Sequence, residues 1–300
     1  MRVAVVSHDA GGAEILSSWV NHTHHLVIIA AAGPAESIFR RKCPQAEFFS
    51  LNEALQKCSW VLCGTSWQSN FERKAIVSAR ALGKKTVAFL DHWVNYRERF
   101  VEAGSSVLPD EIWVGDAEAE RIARTEFGDT RIILHSNPYT EDLLAEISQI
   151  RKVIVESVFK RILYVCEPVA EHALIQFGNK HHWGYTEHEA LRFFLNNLSV
   201  LDIHIESITI RPHPAEPEGK YDWVNGLKLI SIEHGGGKSL LEETLESDIV
   251  VGCESMAMVI GLMASKRVIC SIPPGGRACQ LPHKNIENMQ QLVMASATSD

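Results

Sequence analysis

Histidine, arginine and acidic residues stand directly after apolar segments, where the strands of a parallel sheet would end. The sharpest of these positions is the run from Arg211 to Pro214, in which Pro212 and Pro214 flank His213. The two prolines fix the backbone φ and keep the preceding residues extended, so His213 stands on a stiff loop. An imidazole and a guanidinium so placed suit a phosphate or diphosphate group. The alternative is a rigid turn whose histidine caps a helix.

The same half of the chain has three further candidate contacts to a nucleotide. Glu167 ends an apolar segment, and Pro168 stops that strand, so the carboxylate is predicted to project from the strand end. Ser255 precedes an apolar helix, whose free N–H groups favour an anion. Glu254 beside it is suited to ribose hydroxyls. Simple N-capping is the alternative for Ser255.

A carboxylate and an imidazole stand side by side in the first half, Asp91 and His92, after another apolar segment. This pair is well placed for general-base catalysis. The alternative is a helix-capping aspartate beside a half-buried histidine. Arg97 and Arg99 follow closely and suit a sugar or a carboxylate, or belong to a surface turn.

The first apolar segment leads into a turn that contains His8, Asp9, Gly11 and Gly12. The glycines allow a tight turn and a close approach of the backbone to a ligand, and a helix beginning here offers N–H groups. We therefore expect these residues to contact a ligand. The pattern is not the dinucleotide fingerprint. A tight turn without a ligand is the alternative.

These residues can form a site only if the fold brings the ends of several strands together. Apolar segments alternate with helical patterns, which predicts parallel βαβ units. We predict an α/β fold of two Rossmann-like domains, residues 1–145 and 160–300, with a connector at about 146–159. Ligands bind outside the carboxyl ends of such strands, so the active site is expected in a cleft between the domains. The predicted strands are 3–7, 25–33, 59–66, 84–92, 110–116, 130–139, 161–168, 206–214, 227–233, 247–255 and 266–274.

Composition excludes several classes of protein. The 300 residues suffice for two domains. A net charge of −8, from 29 basic and 37 acidic residues, argues against nucleic-acid binding. Seven cysteines without a CxxC pair indicate reduced thiols in a cytoplasmic protein. The histidines lack metal-ligand spacing, and Ile232 breaks a P-loop pattern, so neither site is predicted. No segment has the signal-peptide or membrane-span pattern; peripheral attachment to the inner membrane is left open.

The second half resembles the nucleotide-binding domain of GT-B glycosyltransferases. His213 and Pro214, followed about 40 residues later by a strand, Ser255 and an apolar helix, are similar to bacterial sialyltransferase-, Kdo-transferase- and CDP-glycerol-transferase-like enzymes. The resemblance implies that His213, Pro214 and Ser255 surround the nucleotide phosphates. The first half resembles the acceptor domain, with Asp91 as the matching base. Residues 136–139 stand where such domains carry a DNPY-like element.

The resemblance implies a glycosyltransferase that moves a sugar from a nucleotide donor, CMP-, CDP- or UDP-linked, to an acceptor hydroxyl. The acceptor is expected to be a saccharide or lipid-linked, in surface polysaccharide or glycolipid synthesis. No metal or separate cofactor is predicted. A sugar-nucleotide epimerase or hydrolase, and a non-catalytic nucleotide- or sugar-binding module, are the alternatives. The predicted site residues are Asp91, His92 and His213 for catalysis, Arg211, His213, Pro214, Glu167, Glu254 and Ser255 for the nucleotide, and His8, Asp9, Gly11, Gly12 and Arg97 for the sugars.

Overall fold

Short apolar segments rich in Val, Ile and Leu form most strands of both sheets, because such residues suit a sheet covered on both faces. The computed structural model describes residues 1–66, 69–102, 104–150, 158–227 and 231–298. The chain divides into two units, residues 1–145 and 146–300.

The first unit is built on a seven-stranded sheet with the order β3-β2-β1-β4-β5-β8-β9, and all its pairings are parallel. A short antiparallel pair, β6 and β7, stands apart from it. The strands are β1 (Arg2–Ser7), β2 (Leu26–Ala31), β3 (Glu47–Phe48), β4 (Trp60–Cys63), β5 (Lys85–Leu90), β6 (Val101–Glu102), β7 (Ser105–Ser106), β8 (Glu111–Val114) and β9 (Arg131–Leu134).

Six helices of this unit connect successive strands or follow the last of them. Their starts are capped as the sequence favours: Asp9 caps α1, Ser50 and Glu53 form a capping box at α3, and Asp116 caps α5. The helices are α1 (Ala10–His22), α2 (Pro34–Lys42), α3 (Leu51–Lys57), α4 (Phe71–Ala81), α5 (Ala117–Phe127) and α6 (Pro138–Ile150).

The second unit has a six-stranded parallel sheet with the order β12-β11-β10-β13-β14-β15. Its strands are β10 (Phe159–Val165), β11 (His204–Arg211), β12 (Ser231–His234), β13 (Ile249–Gly252), β14 (Arg267–Cys270) and β15 (Ile286–Asn288). Its helices are α7 (Val169–Phe177), α8 (Glu187–Asn196), α9 (Leu240–Glu246), α10 (Met256–Met263) and α11 (Met289–Ala297).

Two parallel sheets with interleaved helices confirm the predicted α/β class. In each sheet the strand order reverses direction beside the first strand of its unit, between β1 and β4 and between β10 and β13. Such a switch point leaves a crevice at the carboxyl ends of the strands, because the flanking connections run to opposite sides. The candidate residues of both units follow these strands or their neighbours.

Three segments need comment beside the sequence-based expectation. Residues 286–288, which were not among the predicted strands, pair with β14 as an edge strand, and α11 begins after them at Met289. The connector begins as α6, which ends at Ile150, and residues 151–157 of the predicted connector lie outside the described residues. Part of the strand predicted at 227–233, residues 228–230, lies outside them too. No helix that the structure describes is long and apolar enough to cross a bilayer.

Candidate functional site

The first candidate site surrounds the beginning of α1, at the β1/β4 switch point. Asp9 caps this helix, and its Oδ1 accepts a hydrogen bond of 3.2 Å from the Gly12 N–H. The backbone N–H of His8 donates to Glu72 Oε1 on α4 at 2.7 Å. The end of β1 and the first turn of α4 therefore bring Asp9 and the Glu72 carboxyl group into one region of the unit.

Asp91 follows β5 and is fixed in place by two donors. Its Oδ1 accepts hydrogen bonds from Arg99 Nη1 at 2.5 Å and from the Thr65 hydroxyl at 3.1 Å. The side chains are almost completely buried, with 4% of Arg99 and 8% of Asp91 exposed. Arg99 also donates to the Thr65 carbonyl oxygen at 2.6 Å. The predicted base is therefore a rigid carboxylate with a single preferred orientation.

The two glycines of the first turn make room for the carboxyl groups. A Cβ atom on Gly11 would lie 2.3 Å from Asp91 Oδ2. A Cβ atom on Gly12 would lie 2.9 Å from Asp9 Oδ1 and 3.3 Å from the Gly64 Cα. The distances of 2.3 and 2.9 Å are shorter than non-bonded contacts allow, and 3.3 Å is a tight contact, so glycine at these two positions lets α1 begin this close to β4 and β5.

Burial and mutual repulsion raise the pKa values of two of the three carboxyl groups, Asp9 and Glu72, towards neutral pH. Burial above all, together with the charges of Asp91 and Glu72 and against the attraction of Arg99, raises the pKa of Asp9 to about 8. The pKa of Glu72 is raised to about 7, mainly by burial. At neutral pH the site thus holds a largely protonated Asp9 and a partly protonated Glu72 beside the Asp91–Arg99 ion pair, so a carboxyl proton donor lies close to an ion-paired carboxyl group.

The other residues predicted for the first unit take different places. The ring of His8 packs against Gly33, where a Cβ atom would lie 2.7 Å from its Nε2, and desolvation lowers the pKa of the imidazole. The His92 ring lies edge-on to Trp93, with ring centres 5.6 Å apart. Arg97 is an exposed residue that pairs with Glu126 of α5, so its guanidinium is engaged there.

The second candidate site lies at the switch point of the second sheet, where Glu167 leaves β10. Its Oε1 accepts backbone hydrogen bonds from Cys253 at 3.1 Å and Glu254 at 2.8 Å. Burial above all, together with the Glu254 charge and against these backbone hydrogen bonds, raises the pKa of Glu167 to about 7. The carboxyl group therefore links the end of β10 to the turn after β13. Two N–H groups of that turn donate to Glu167 and not to a ligand.

Glu254 and Ser255 both serve local structure. The Glu254 carboxylate, 7% exposed, pairs with Arg277 and accepts the Gln280 N–H at 2.9 Å, which attaches the loop after β14. The Ser255 hydroxyl accepts the Ala257 N–H at 3.0 Å and so caps α10. The structure thus shows the capping interaction that the sequence offered as the alternative for Ser255.

Arg211, at the end of β11, is held by an acidic partner. Its Nη1 donates to Glu243 Oε2 of α9 at 2.6 Å and to the Lys238 carbonyl oxygen at 3.0 Å. The Arg211 side chain is 16% exposed. Its charge is therefore largely balanced within the unit.

His213 is presented by the proline-flanked loop with one ring nitrogen already used. The Ala215 N–H donates to His213 Nδ1 at 3.1 Å, and the His213 N–H donates to Glu216 Oε2 at 2.8 Å. A neutral imidazole whose Nδ1 accepts a hydrogen bond carries its proton on Nε2. Loss of solvation lowers the pKa of His213, which favours this neutral form. His213 thus offers an Nε2–H donor, and Pro214 fixes the loop behind it.

Sequence reasoning missed an ionic network beneath this loop. Lys220 bonds to Glu187 at 2.5 Å and to Glu216 at 2.8 Å, and the Tyr221 hydroxyl donates to Glu216 at 2.7 Å. The Glu216 side chain is fully buried. Its position three residues after His213 was the available signal, because such spacing lets a carboxylate accept a loop N–H. The network fixes the loop from below.

A further histidine, His172 on α7, also escaped the sequence analysis. Desolvation lowers its pKa, and the nearby His213 lowers it further, so both imidazoles favour the neutral form together. In the described parts of the chain, no cluster of three or more His, Cys, Asp or Glu side chains is arranged to hold a metal ion.

Comparison with known proteins gives structural matches alone. No protein-family model and no curated protein matches the sequence. Among solved structures, S. aureus MnaA in complex with UDP matches with a TM-score of 0.63 and 10% identity, over 99% of this chain and 87% of that one. UDP-GlcNAc 2-epimerase from Methanocaldococcus jannaschii matches with a TM-score of 0.57 and 11% identity, over 99% and 92%. The glycosyltransferase of kitacinnamycin matches with a TM-score of 0.56 and 12% identity, over 99% and 84%.

The chain has the GT-B fold. The predicted fold of two Rossmann-like domains is thereby confirmed. At identities of 10–12% these likenesses concern the fold alone, which hosts several chemistries.

Proposed function

We propose that this GT-B protein is an enzyme that transfers a sugar from a nucleotide-activated donor to an acceptor hydroxyl. The observation that carries the proposal is the geometry of His213. Its Nδ1 accepts the Ala215 N–H, so the neutral imidazole carries its proton on Nε2, where it can be donated to a ligand. Pro214 and Glu216 fix the loop that holds the ring. Preorganised donors of this kind stabilise charge that develops on a leaving group. The donor nucleotide is accordingly assigned to the second unit.

The remaining predicted nucleotide contacts act as support around His213 in this proposal. Arg211 is bonded to Glu243, and Glu167 receives the N–H groups of the turn that contains Glu254. They fix the strand ends, while His213 makes the phosphate contact. The proposal includes no metal ion and no separate cofactor, and the nucleotide sugar is the substrate.

The acceptor is assigned to the first unit, with Asp91 as the base. Arg99 and Thr65 hold Oδ1, and Oδ2 faces the Gly11 backbone, so the carboxylate is oriented in advance. An acceptor hydroxyl would give its proton to this group as it attacks the sugar. The orientation contributes to the rate by fixing the geometry of attack.

One observation favours a second candidate, a sugar-nucleotide epimerase or hydrolase. Asp9 and Glu72, with pKa values raised to about 8 and about 7, are largely and partly protonated at neutral pH, and they lie near the Asp91–Arg99 ion pair. An acid and a base within one site suit proton transfer on a donor sugar without an acceptor. Four of the matching structures are described as UDP-GlcNAc 2-epimerases, one of them as putative, which supports testing this reaction.

The first experiment measures thermal stability with CMP, CDP, UDP, GDP and their sugar conjugates. A ligand at 100 times its Kd stabilises a protein by about 2.7 kcal/mol, which raises the Tm by a few degrees. We expect one nucleotide family to raise the Tm of the wild type and to lose the effect in His213→Ala. His204→Ala is the control, because this exposed histidine lies at the opposite end of β11. No shift with any nucleotide would contradict the proposal.

The second experiment separates transfer from epimerisation and hydrolysis. The nucleotide sugar that binds is incubated with and without candidate saccharide acceptors, and the products are identified by mass spectrometry and NMR. Transfer predicts a new glycoside only when an acceptor is present. An epimer or free sugar without an acceptor would favour the second candidate. Asp91→Asn is expected to lower turnover at least 100-fold in either case, and near-normal turnover would remove Asp91 as the base.

A further inference from the structure

One face of the second sheet is polar along β11 and β12 and is only partly covered by helices. Ile208 and Ile210 of β11 point into the hydrophobic core, so Ser207 and Thr209 between and before them point to the opposite face. The helix on that face, α9, packs mainly against β10 and α10. A cavity of about 400 Å³ therefore remains over this part of the sheet, within the second unit.

The strand register places the residues at the floor of this cavity in two adjacent rows. Ser207 lies beside Arg161 of β10, and Thr209 lies between Leu163 of β10 and Glu233 of β12. Paired residues of parallel strands point to the same face, and all five residues line the cavity. The floor thus presents hydroxyl groups, a carboxylate and a guanidinium group around one apolar side chain.

The two hydroxyl groups of the floor are not satisfied within the fold. Ser207 is 8% exposed, and Thr209 is half-buried. No residue that the structure describes forms a hydrogen bond with either hydroxyl group. Because buried polar groups in folded proteins are nearly always hydrogen-bonded, these two hydroxyl groups indicate a partner that enters the cavity.

Several charged groups of the cavity wall are already paired with each other. The Glu243 carboxylate accepts hydrogen bonds from Arg211 and from the Gly236 N–H, both at 2.6 Å. Lys238 bonds to both oxygens of Glu246 at 2.6 Å. These contacts fix the wall that α9 and the preceding loop provide, and they leave the charges of the wall balanced.

Three charged side chains of the lining form no ion pair in the part of the chain that the structure describes, namely Arg161, Glu206 and Glu233. Two carboxylates repel an anion, and a guanidinium group repels a cation. An apolar ligand would leave the Ser207 and Thr209 hydroxyl groups without partners. The lining therefore fits a neutral molecule with many hydroxyl groups, because each hydroxyl group both donates and accepts hydrogen bonds.

We propose that this cavity binds a neutral saccharide, at a site apart from the strand ends proposed for the nucleotide. Glu206 and Glu233 accept hydrogen bonds from the sugar hydroxyl groups, Arg161 donates to them, and Ser207 and Thr209 do both. The volume of about 400 Å³ lies within the usual range for small-ligand sites, ~300–1,000 Å³. The proposal concerns binding alone and does not depend on the nucleotide-sugar reaction.

Saturation-transfer difference NMR tests this binding, with maltose, cellobiose and N,N′-diacetylchitobiose as neutral probes at millimolar concentration. We expect at least one of these disaccharides to receive saturation from the wild-type protein. An excess of CMP, CDP, UDP and GDP should leave that signal unchanged, because the cavity is apart from the proposed nucleotide site. Absence of a signal from all three disaccharides, or its loss on addition of the nucleotides, would overturn the proposal.

Removal of the two floor hydroxyl groups locates the site. The double variant Ser207→Ala/Thr209→Val keeps the shape of the floor, and we expect it to weaken disaccharide binding about fivefold or more, because two hydrogen bonds to the ligand are lost. Its resistance to urea should not fall, because neither hydroxyl group has a partner among the described residues. The matched control is Ser105→Ala/Ser106→Ala, at exposed positions of β7 in the first unit, and should bind like the wild type.

A second variant keeps the test decisive if the double variant does not fold. Glu233→Gln keeps the size of an exposed side chain and removes its charge, so the fold should be unaffected. We expect it to weaken disaccharide binding, because a carboxylate is a stronger hydrogen-bond acceptor than an amide. Wild-type affinity in the folded double variant would overturn the proposal, and so would wild-type affinity in Glu233→Gln if the double variant cannot be measured.

Discussion

Replacing Asp9 with asparagine tests the charge state of the first site directly, because asparagine keeps the helix cap and removes the titration. Its Oδ1 can still accept the Gly12 N–H, so the beginning of α1 is preserved. Wild-type Asp9 has a pKa raised to about 8, whereas an aspartate in the unfolded chain titrates near 3.8. Between these values the unfolded chain has released a proton that the folded chain still holds.

The sign of the effect follows from this difference in bound protons. Since the folded state binds more protons than the unfolded state between pH 4 and pH 8, Asp9 makes the wild type less stable as the pH rises through that window. The shift of about four units corresponds to an upper bound of ~6 kcal/mol, at ~1.4 kcal/mol per unit. Asp91, Glu72 and Arg99 share the same field, so we expect Asp9→Asn to gain about 1–3 kcal/mol over the wild type by pH 8.

The assay is urea denaturation of both proteins at pH 5, 6, 7, 8 and 9. Glu72 and Glu167 are present in both chains, so the difference between the two unfolding free energies reports the charge of Asp9 together with its interactions with Asp91, Glu72 and Arg99. The gain should be small at pH 5, increase towards pH 8 and stay level above it. Asp129→Asn, at an exposed position, is the matched control and should change stability by less than ~0.5 kcal/mol at every pH. A variant that is destabilised equally at all five pH values would refute the reasoning.

Two other substitutions follow from single contacts. Gly11→Ala should destabilise the protein by about 1–3 kcal/mol despite the higher helix propensity of alanine, because the new methyl group would lie 2.3 Å from the fixed Asp91 Oδ2. Gly237→Ala is its control in urea denaturation, since a Cβ atom there meets nothing within 4 Å. Ser255→Ala should cost about 1 kcal/mol, because α10 loses the acceptor for the Ala257 N–H. The same variant should keep the nucleotide-induced Tm shift, because His213 carries the phosphate contact in the proposal; loss of that shift would return the contact to Ser255.

The sheets could be predicted because their strands are apolar runs, and the exceptions show where that signal ends. Residues 286–288 contain two polar residues among three, and they form a strand only because β14 offers them a free edge. Strand β3 has two residues and pairs only with β2. Neither of these two strands has a recognisable sequence pattern, because each forms by hydrogen bonding to the exposed edge of a neighbouring strand.

Strand-end positions could also be predicted, but the partners of the side chains could not. Asp91 was expected at a strand end, yet the residue that fixes it is Arg99, whereas Arg97 pairs with Glu126 on the surface. The two arginines are alternate positions in one short segment, and only the packed loop distinguishes them. Glu72 lies in the first turn of α4 without any local signal, because its role depends on the distant His8 N–H.

The balance of charges decides which unit suits a phosphate group. The first site collects Asp9, Glu72 and Asp91 around the buried Arg99 and Arg73, and the guanidinium groups are used by Asp91 and by carbonyl oxygens. When Asp9 or Glu72 ionises as the pH rises, it adds negative charge to a buried region. That charge repels a diphosphate, whereas uncharged hydroxyl groups are not repelled. In the second site the acidic groups are satisfied by backbone N–H groups and by arginines, and the neutral His213 Nε2–H remains as a donor. For the proposed transfer reaction, the same electrostatic argument favours the second unit for the phosphate and the first unit for the acceptor hydroxyl.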